Sequence, residues 1–336
     1  MGEQNPHAEL MRLVNGYQVS QAIHVAATLG IADFLGDGPR TSDDLAAAAG
    51  VHAPSLHRVL RALAAVGVFR EEADRRFSLT PMGQCLRSNA DRPVGPWAEY
   101  VGRPYHWLSW GDLLHAVRTG ESAFRRLHGA DLWEWRERRP EEGAVFDRAM
   151  TALSLRVAEA AVAAYDFSRF RRVVDVGGGH GAILAAVLAA HPAARGVLFD
   201  QPGVVAGAEA VLRGAGVADR CEVVGGSFFE AVPGGGDAYL LKAILHDWDD
   251  AEAEAILRNC RRAVARGGAL LVLERVVAPP NVDPVTKFSD LNMMVMTGGR
   301  ERAEAEFATL LAAAGFRMAA VVRTETPFSV IEGVPI

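Results

Sequence analysis

One histidine and two glutamates are the residues best suited to chemistry in this 336-residue chain. His246 follows the apolar run Leu240-Leu241-Lys242-Ala243-Ile244-Leu245 and opens the segment Asp247-Trp248-Asp249-Asp250. An imidazole just past a strand is placed to take a proton as a general base, and its ordinary pKa of about 6.5 leaves it mostly neutral at pH 7. Glu274 ends the apolar run Leu270-Leu271-Val272-Leu273, and Glu301 follows Gly298-Gly299-Arg300. Either carboxylate can orient an imidazole ring. Taken singly, each is also an ordinary solvated charge at an element's end, and His246 an ordinary residue at a helix entry capped by Asp247 or Asp249. No His, Asp or Glu group shows metal-ligand spacing along the sequence, so no cation is expected.

These residues need a frame, and the frame centres on Val173-Val174-Asp175-Val176-Gly177-Gly178-Gly179-His180-Gly181. An apolar run enters a glycine-packed turn and leaves through the alanine-rich stretch 182–190, which reads as strand, turn, helix. Glycines let a ligand approach the backbone closely, and the following helix aims its free N–H groups at that ligand. The pattern describes a nucleotide-type cradle at the start of a doubly wound sheet. Gly177, Gly179 and Gly181 spell G-x-G-x-G, the form typical of S-adenosylmethionine (SAM) sites. Gly177, Gly179 and Ala182 also satisfy the relaxed dinucleotide pattern, so the loop alone leaves the cofactor open. Asp200, at the end of Gly196-Val197-Leu198-Phe199, stands where either cofactor presents its ribose hydroxyls.

Beyond the cradle, strands are expected at 172–176, 196–199, 221–224, 237–242 and 268–274, with helices at 182–190, 203–214 and 250–265. Apolar strands at 316–323 and 328–331 close the sheet as an antiparallel edge. The fold class is α/β with a mostly parallel, Rossmann-like sheet.

Ahead of the sheet, Leu10 to Leu29 is apolar at helical spacing, with Gly30 as its stop; such a helix needs a partner to bury it. Thr41 or Ser42 caps a short helix from Asp43 to Ala49. Pro54 opens a second helix through Val66, and strands 68–70 and 77–79 form a small hairpin. Helix, turn, helix, hairpin is a winged-helix arrangement. Its second helix offers His57, Arg58 and Arg61 without asparagine or glutamine, and acids surround it, so it reads as a scaffold for dimerisation or for covering a pocket and not as a DNA reader. From Pro93 to Phe167 the pattern is helical and aromatic, with Trp97, Trp107, Trp110, Trp133 and Trp135 in one stretch. The long helix from Phe146 to Ala164 carries Met150 and Ser154. The chain thus divides into a winged-helix dimerisation domain (1–92), a helical substrate-covering segment (93–167) and a cofactor-binding catalytic domain (168–336).

Composition narrows the classes of function. A net charge of -6 gives no electrostatic footprint for nucleic acid. Cys85, Cys221 and Cys260 are too few and too scattered for a disulfide framework. No run is long enough for a membrane span. The first residues, with Glu3, Asn5 and His7, lack the regions of a secretory signal, so a cytoplasmic location is expected.

The run Val173 to Gly181, Phe199-Asp200, the segment Leu241 to Asp250, Glu274, and Gly298 to Arg302 occur in one order over nearly the whole chain. Together they resemble the SAM-dependent O-methyltransferases of the caffeic-acid type, which methylate plant phenolics and actinomycete polyketides. The resemblance implies a class I methyltransferase sheet with an N-terminal dimerisation domain, a homodimer, and SAM as cofactor. It implies that Gly177 and Gly179 lie against the amino-acid moiety of SAM, that Asp200 holds its ribose, and that Lys242 contacts it near the fourth strand. His246 is implied as the base, flanked by Glu274 and Glu301. Met150, Met293 and Met296 are implied to sandwich a flat aromatic acceptor, with Asn292 on the same loop as Asp290 touching it. One departure concerns the adenine: the family commonly has an acid after the third strand, and this chain has Gly226-Ser227-Phe228-Phe229. Ser227 can still hydrogen-bond and Phe228 can cover the ring. A divergent reaction on the same fold, hydroxylation or decarboxylation, is the alternative, and the presence of His246 weighs against it. A nicotinamide oxidoreductase lacks a separate catalytic dyad here, and a winged-helix regulator with a sensor domain is the remaining reading.

Overall fold

The computed structural model describes residues 5–336; Glu3, one of the residues named at the N-terminus, lies outside them. The chain forms two compact units, one ending at Trp107 and the other spanning Leu108–Ile336.

In the first unit the expected helix from Leu10 to Leu29 is two helices, Pro6–Val14 and Gly16–Thr28. Asn15 closes one and opens the other, with Gly16 following it, a pair that favours a break over continued helix. The winged-helix elements follow: β1 (Arg40–Thr41), helix Ser42–Ala49, helix Ala53–Ala65, β2 (Phe69–Glu71) and β3 (Arg76–Leu79). Thr41 is the cap, its hydroxyl accepting from the Asp44 amide at 3.1 Å. The sheet has the order β1-β3-β2 and is antiparallel. Its helices seal a core of Ile31, Leu45, Leu60, Phe69 and Phe77. The helix Pro6–Val14, by contrast, buries none of its residues within the chain, and Leu10 and Leu13 are 62% and 61% exposed.

In the second unit a helical segment containing the long helix Pro140–Ala164 precedes a seven-stranded sheet. The strands are β4 (Arg172–Val176), β5 (Arg195–Asp200), β6 (Cys221–Gly225), β7 (Ala238–Lys242), β8 (Ala269–Arg275), β9 (Phe316–Arg323) and β10 (Phe328–Pro335). Their order is β6-β5-β4-β7-β8-β10-β9. The first five run parallel, and β10 is antiparallel to both β8 and β9. The near-continuous apolar runs in β4, β7 and β8 are the mark of parallel strands covered on both faces, and apolar clusters do lie on both faces. The chain winds outward from β4 to β6, returns to β7, and winds the other way. That reversal opens a crevice beyond the carboxyl ends of β4 and β7.

Two expectations about helices change. The stretch 203–214 is two short helices, Pro202–Val205 and Glu209–Gly214. Asp290 and Asn292, expected on a loop, lie on the helix Pro284–Met296. A further helix, Glu304–Ala313, had no counterpart in the sequence reading. Among the described residues no helix is long and apolar enough to cross a membrane.

Candidate active site

The glycine turn sits at the switch point. Gly177 has φ +69° and Gly179 φ +60°, conformations that disfavour side chains. A Cβ on Gly177 would overlap Ile244 and touch Phe228, whereas a Cβ on Gly179 would meet nothing within 4 Å. The chain is thus pressed against its neighbours at one glycine and opens onto space at the next, as a cradle requires. Asp200 at the end of β5 accepts from the Gly179 amide at 2.8 Å and from the Gln201 amide at 2.7 Å. Burial raises its pKa, and those two amides oppose the rise. Beneath the turn, Asp175 is buried without a hydrogen-bond partner for either carboxyl oxygen, and burial, with Asp200 beside it, pushes its pKa up to about 7. Across the crevice Lys242 donates to Ser154 Oγ at 3.0 Å, and Ser154 donates to the Met150 carbonyl. Burial, aided by Arg275, brings the Lys242 pKa down to about 8.

Ser227 Oγ accepts from the Phe229 amide at 3.3 Å, so part of its capacity is used locally. Phe228 meets Trp248 edge-on at 6.0 Å, and Trp248 stacks on Trp133 at 6.2 Å. Met293 and Met296 are buried and Met150 is half-buried. Asn292 Oδ1 accepts from the Trp110 indole at 2.9 Å, which holds this amide to the aromatic segment.

His246 lies in a single 3-10 turn, Leu245–Asp247, after a residue in a strained conformation: Ala243 has φ +54°. One carboxylate holds this turn. Glu274 Oε1 accepts from the amides of Ile244 at 3.0 Å, Leu245 at 2.9 Å and His246 at 3.4 Å. Arg302, fully buried, fixes the turn from the other side by donating to the Leu245 carbonyl at 2.7 Å and the Trp248 carbonyl at 3.0 Å. Gly299 is required here by closeness, since any Cβ would overlap the His246 carbonyl oxygen.

The imidazole itself is buried. Its Nδ1 lies 3.0 Å from Glu301 Oε1 and 3.4 Å from Glu274 Oε2. Nε2 is 3.9 Å from Asp247 Oδ1. Ser289 donates to Glu301 Oε1 at 2.6 Å, and the Glu301 amide donates to Asp290 Oδ1 at 2.8 Å. Burial by itself lowers the His246 pKa, but Glu274, Glu301 and Asp247 together outweigh it and raise the value to about 10. Glu301, as the paired anion, is lowered although burial works against it; Glu274 is raised, burial again leading. The expectation of a mostly neutral imidazole at pH 7 is therefore corrected: three carboxylates favour imidazolium in this protein. The expectation that no metal-ligand cluster exists also changes. The ligand atoms of His246, Glu274 and Glu301 lie within 4.8 Å of one another, a closeness hidden by their separation in sequence.

Every residue singled out for the base and its flanks comes to one place. So do Gly177 and Phe228, Gly179 and Asp200, and Lys242 and Met150 by way of Ser154. Sequence reasoning missed Ser289, Arg302 and Asp175. A serine, an arginine after a glycine pair and a strand-end acid carry no local mark of burial.

A doubly wound sheet with a glycine turn at its switch point, facing a buried histidine held by two carboxylates, defines a class I methyltransferase-type enzyme. Residues 110–317 match the O-methyltransferase domain family and residues 11–89 the O-methyltransferase dimerisation domain family. The chain belongs to the SAM-dependent O-methyltransferases. It is 44% identical to phenazine O-methyltransferase of Lysobacter antibioticus, over 97% of this chain and 96% of that protein. The structure of mitomycin 7-O-methyltransferase superposes with a TM-score of 0.91 at 39% identity, covering 98% of both chains. An O-methyltransferase from neocarzinostatin biosynthesis, solved with SAM and 2-hydroxy-5-methyl naphthoic acid, superposes with a TM-score of 0.81 at 38% identity, covering 95% of this chain and 96% of that one.

Proposed function

We propose that this protein methylates a hydroxyl of a flat, largely apolar aromatic small molecule, with His246 as general base. The observation that carries the reading is the buried His246–Glu301 contact at 3.0 Å, at the carboxyl end of the sheet. Gly177 and Gly179 take the amino-acid end of SAM, Lys242 and Ser154 its charged groups, Asp200 the ribose, and Ser227 and Phe228 the adenine. Bound there, SAM supplies a methyl group activated on a sulfonium. Met150, Met293 and Met296 clasp the acceptor ring, and Asn292 borders it. The part of the helical segment within the second unit, 108–167, covers it. His246 Nε2 takes the hydroxyl proton while Nδ1–H remains on Glu301. A phenol has an ordinary pKa near that of tyrosine, about 10. The carboxylates that raise the imidazole's proton affinity to a similar value make that transfer nearly even in energy. The same carboxylates require the enzyme to work from the deprotonated fraction of His246. Relatives acting on phenazine, mitomycin and naphthoate skeletons support the aromatic acceptor. The test is a mass-spectrometric screen of hydroxylated aromatics with labelled SAM; label confined to sugars or protein side chains would overturn the reading.

Glu274 is a positioning residue for this base. Glu274→Gln removes one of the charges that raise the His246 pKa, so the inflection of the pH–rate profile should move to lower pH. Turnover should fall less than on loss of His246. A loss of rate with an unmoved inflection would mean that Glu274 serves only the fold of the turn.

The exposed apolar face of Pro6–Val14 and Gly16–Thr28 pairs with the same face of a second copy, forming a homodimer. Light scattering should give twice the chain mass for the native protein and a single chain mass for the Leu10→Glu/Leu13→Glu variant. A native monomer at micromolar concentration would refute this. The cytoplasm is the compartment that fits three unpaired cysteines, Cys85, Cys221 and Cys260.

A further inference from the structure

The geometry points to a zinc site at His246 Nδ1, Glu274 and Glu301, one whose occupation switches the base off. The inhibitory part of this inference rests on His246 being the base; the binding part does not. Two carboxylates and an imidazole are a donor set suited to Zn²⁺, and a tetrahedral ion with bonds of about 2.0–2.2 Å holds its ligand atoms about 3.4 Å apart. The observed separations from Nδ1 are 3.0 Å to Glu301 Oε1 and 3.4 Å to Glu274 Oε2. All three side chains are buried. A second feature marks the space between them. Glu274 Oε2 faces Nδ1 yet makes no hydrogen bond, on a fully buried side chain whose other oxygen is taken by three amides. Glu301 Oε2 is likewise buried without a hydrogen bond. A carboxylate oxygen left so in the interior is costly, and a cation ligated there removes the cost. Arg275, 3.6 Å from Glu301 Oε1, opposes a cation there, as do Arg302 and Lys242, whose charges act on Glu274.

The consequence for catalysis follows from the two ring nitrogens. Zn²⁺ takes the Nδ1 lone pair, and a proton held there leaves to solvent. The single proton of the neutral ring then sits on Nε2, which can no longer accept one from the acceptor hydroxyl. Zinc therefore stops methyl transfer without touching the residues proposed to hold SAM.

The experiment uses the full-length protein in chelator-treated buffer, with Zn²⁺ alone as the probe. Equilibrium dialysis with metal analysis should find one Zn²⁺ per chain, removed by EDTA. Glu274→Gln and Glu301→Gln should each weaken binding at least tenfold. X-ray absorption on the zinc-loaded wild type needs no variant to fold, and should show a first shell of nitrogen and oxygen with one imidazole. Methyl transfer should fall in proportion to occupancy while SAM binding stays constant. No stoichiometric binding, sulfur in the first shell, or unchanged affinity in either glutamine variant would overturn the site. Full activity of His246→Gln together with zinc binding by the wild type would overturn the base assignment and leave the metal site standing.

Discussion

His246→Gln should lower turnover by about 10²–10⁴-fold at alkaline pH, where the imidazole is free base, because a positioned general base contributes about that much, and by less at pH 7, where a pKa of about 10 leaves most of the ring protonated. Glutamine still fills the space and still hydrogen-bonds, but it cannot take a proton. SAM affinity should change little, since His246 is proposed to touch the acceptor and not the cofactor. The variant's own rate should rise toward pH 10, where a phenolic acceptor ionises by itself. The wild-type profile has its own sign. Glu274, Glu301 and Asp247 hold the His246 pKa at about 10, so the proportion of free base, and with it kcat/KM, rises as pH increases above neutrality. Steady-state kinetics with the best acceptor, from pH 7 to 10, checks both curves. Undiminished activity of the variant across the whole range from pH 7 to 10 would show that alignment alone drives transfer.

Asp200→Ala should weaken SAM and its demethylated product by about 10–100-fold. The carboxylate accepts from two backbone amides, which leaves lone pairs on both oxygens for a ribose diol. Hydrogen bonds to a charged group contribute about 1.5–3 kcal/mol, and each 1.4 kcal/mol is tenfold in affinity. The turn also loses the anchor on Gly179, which acts in the same direction. With SAM saturating, kcat should remain within about tenfold of the native value. Calorimetry with both ligands decides the matter; an unchanged Kd would remove Asp200 from the cofactor site.

The parts of this protein legible in its sequence are those set by short-range pattern. Apolar strand, glycine turn and alanine-rich helix from Val173 to Ala190 fold as read, because each step is a local backbone preference. The loop carrying His246 is fixed by the strand ending at Lys242. Its neighbourhood is not local. Glu301 is 55 residues away in sequence. It arrives because the chain returns beside β8, where Val276 pairs with Arg302 in a parallel bridge. The shift of His246 toward imidazolium is a sum over three carboxylates and cannot be read from any one of them. Helix Pro284–Met296 escaped notice for another reason: Val285 and Phe288 are exposed while Met293 and Met296 are buried, so apolar residues on both faces blur the helical stripe. The break at Asn15 was missed because apolar spacing continues across it.

The order of the sheet carries a consequence for how the protein comes into being. β10 lies between β8 and β9, with Ser329 opposite Glu274. A nascent chain that has emitted the glycine turn, His246, Glu274 and Glu301 has every proposed catalytic group, yet β8 still has an open edge. The strand bearing the carboxylate that braces the histidine turn gains its second neighbour only when residues 328–335 leave the ribosome. Catalytic competence is thereby tied to the arrival of residues 328–335. Until then the bare edge of β8 is a natural place for a chaperone, or for a wrong strand, to bind.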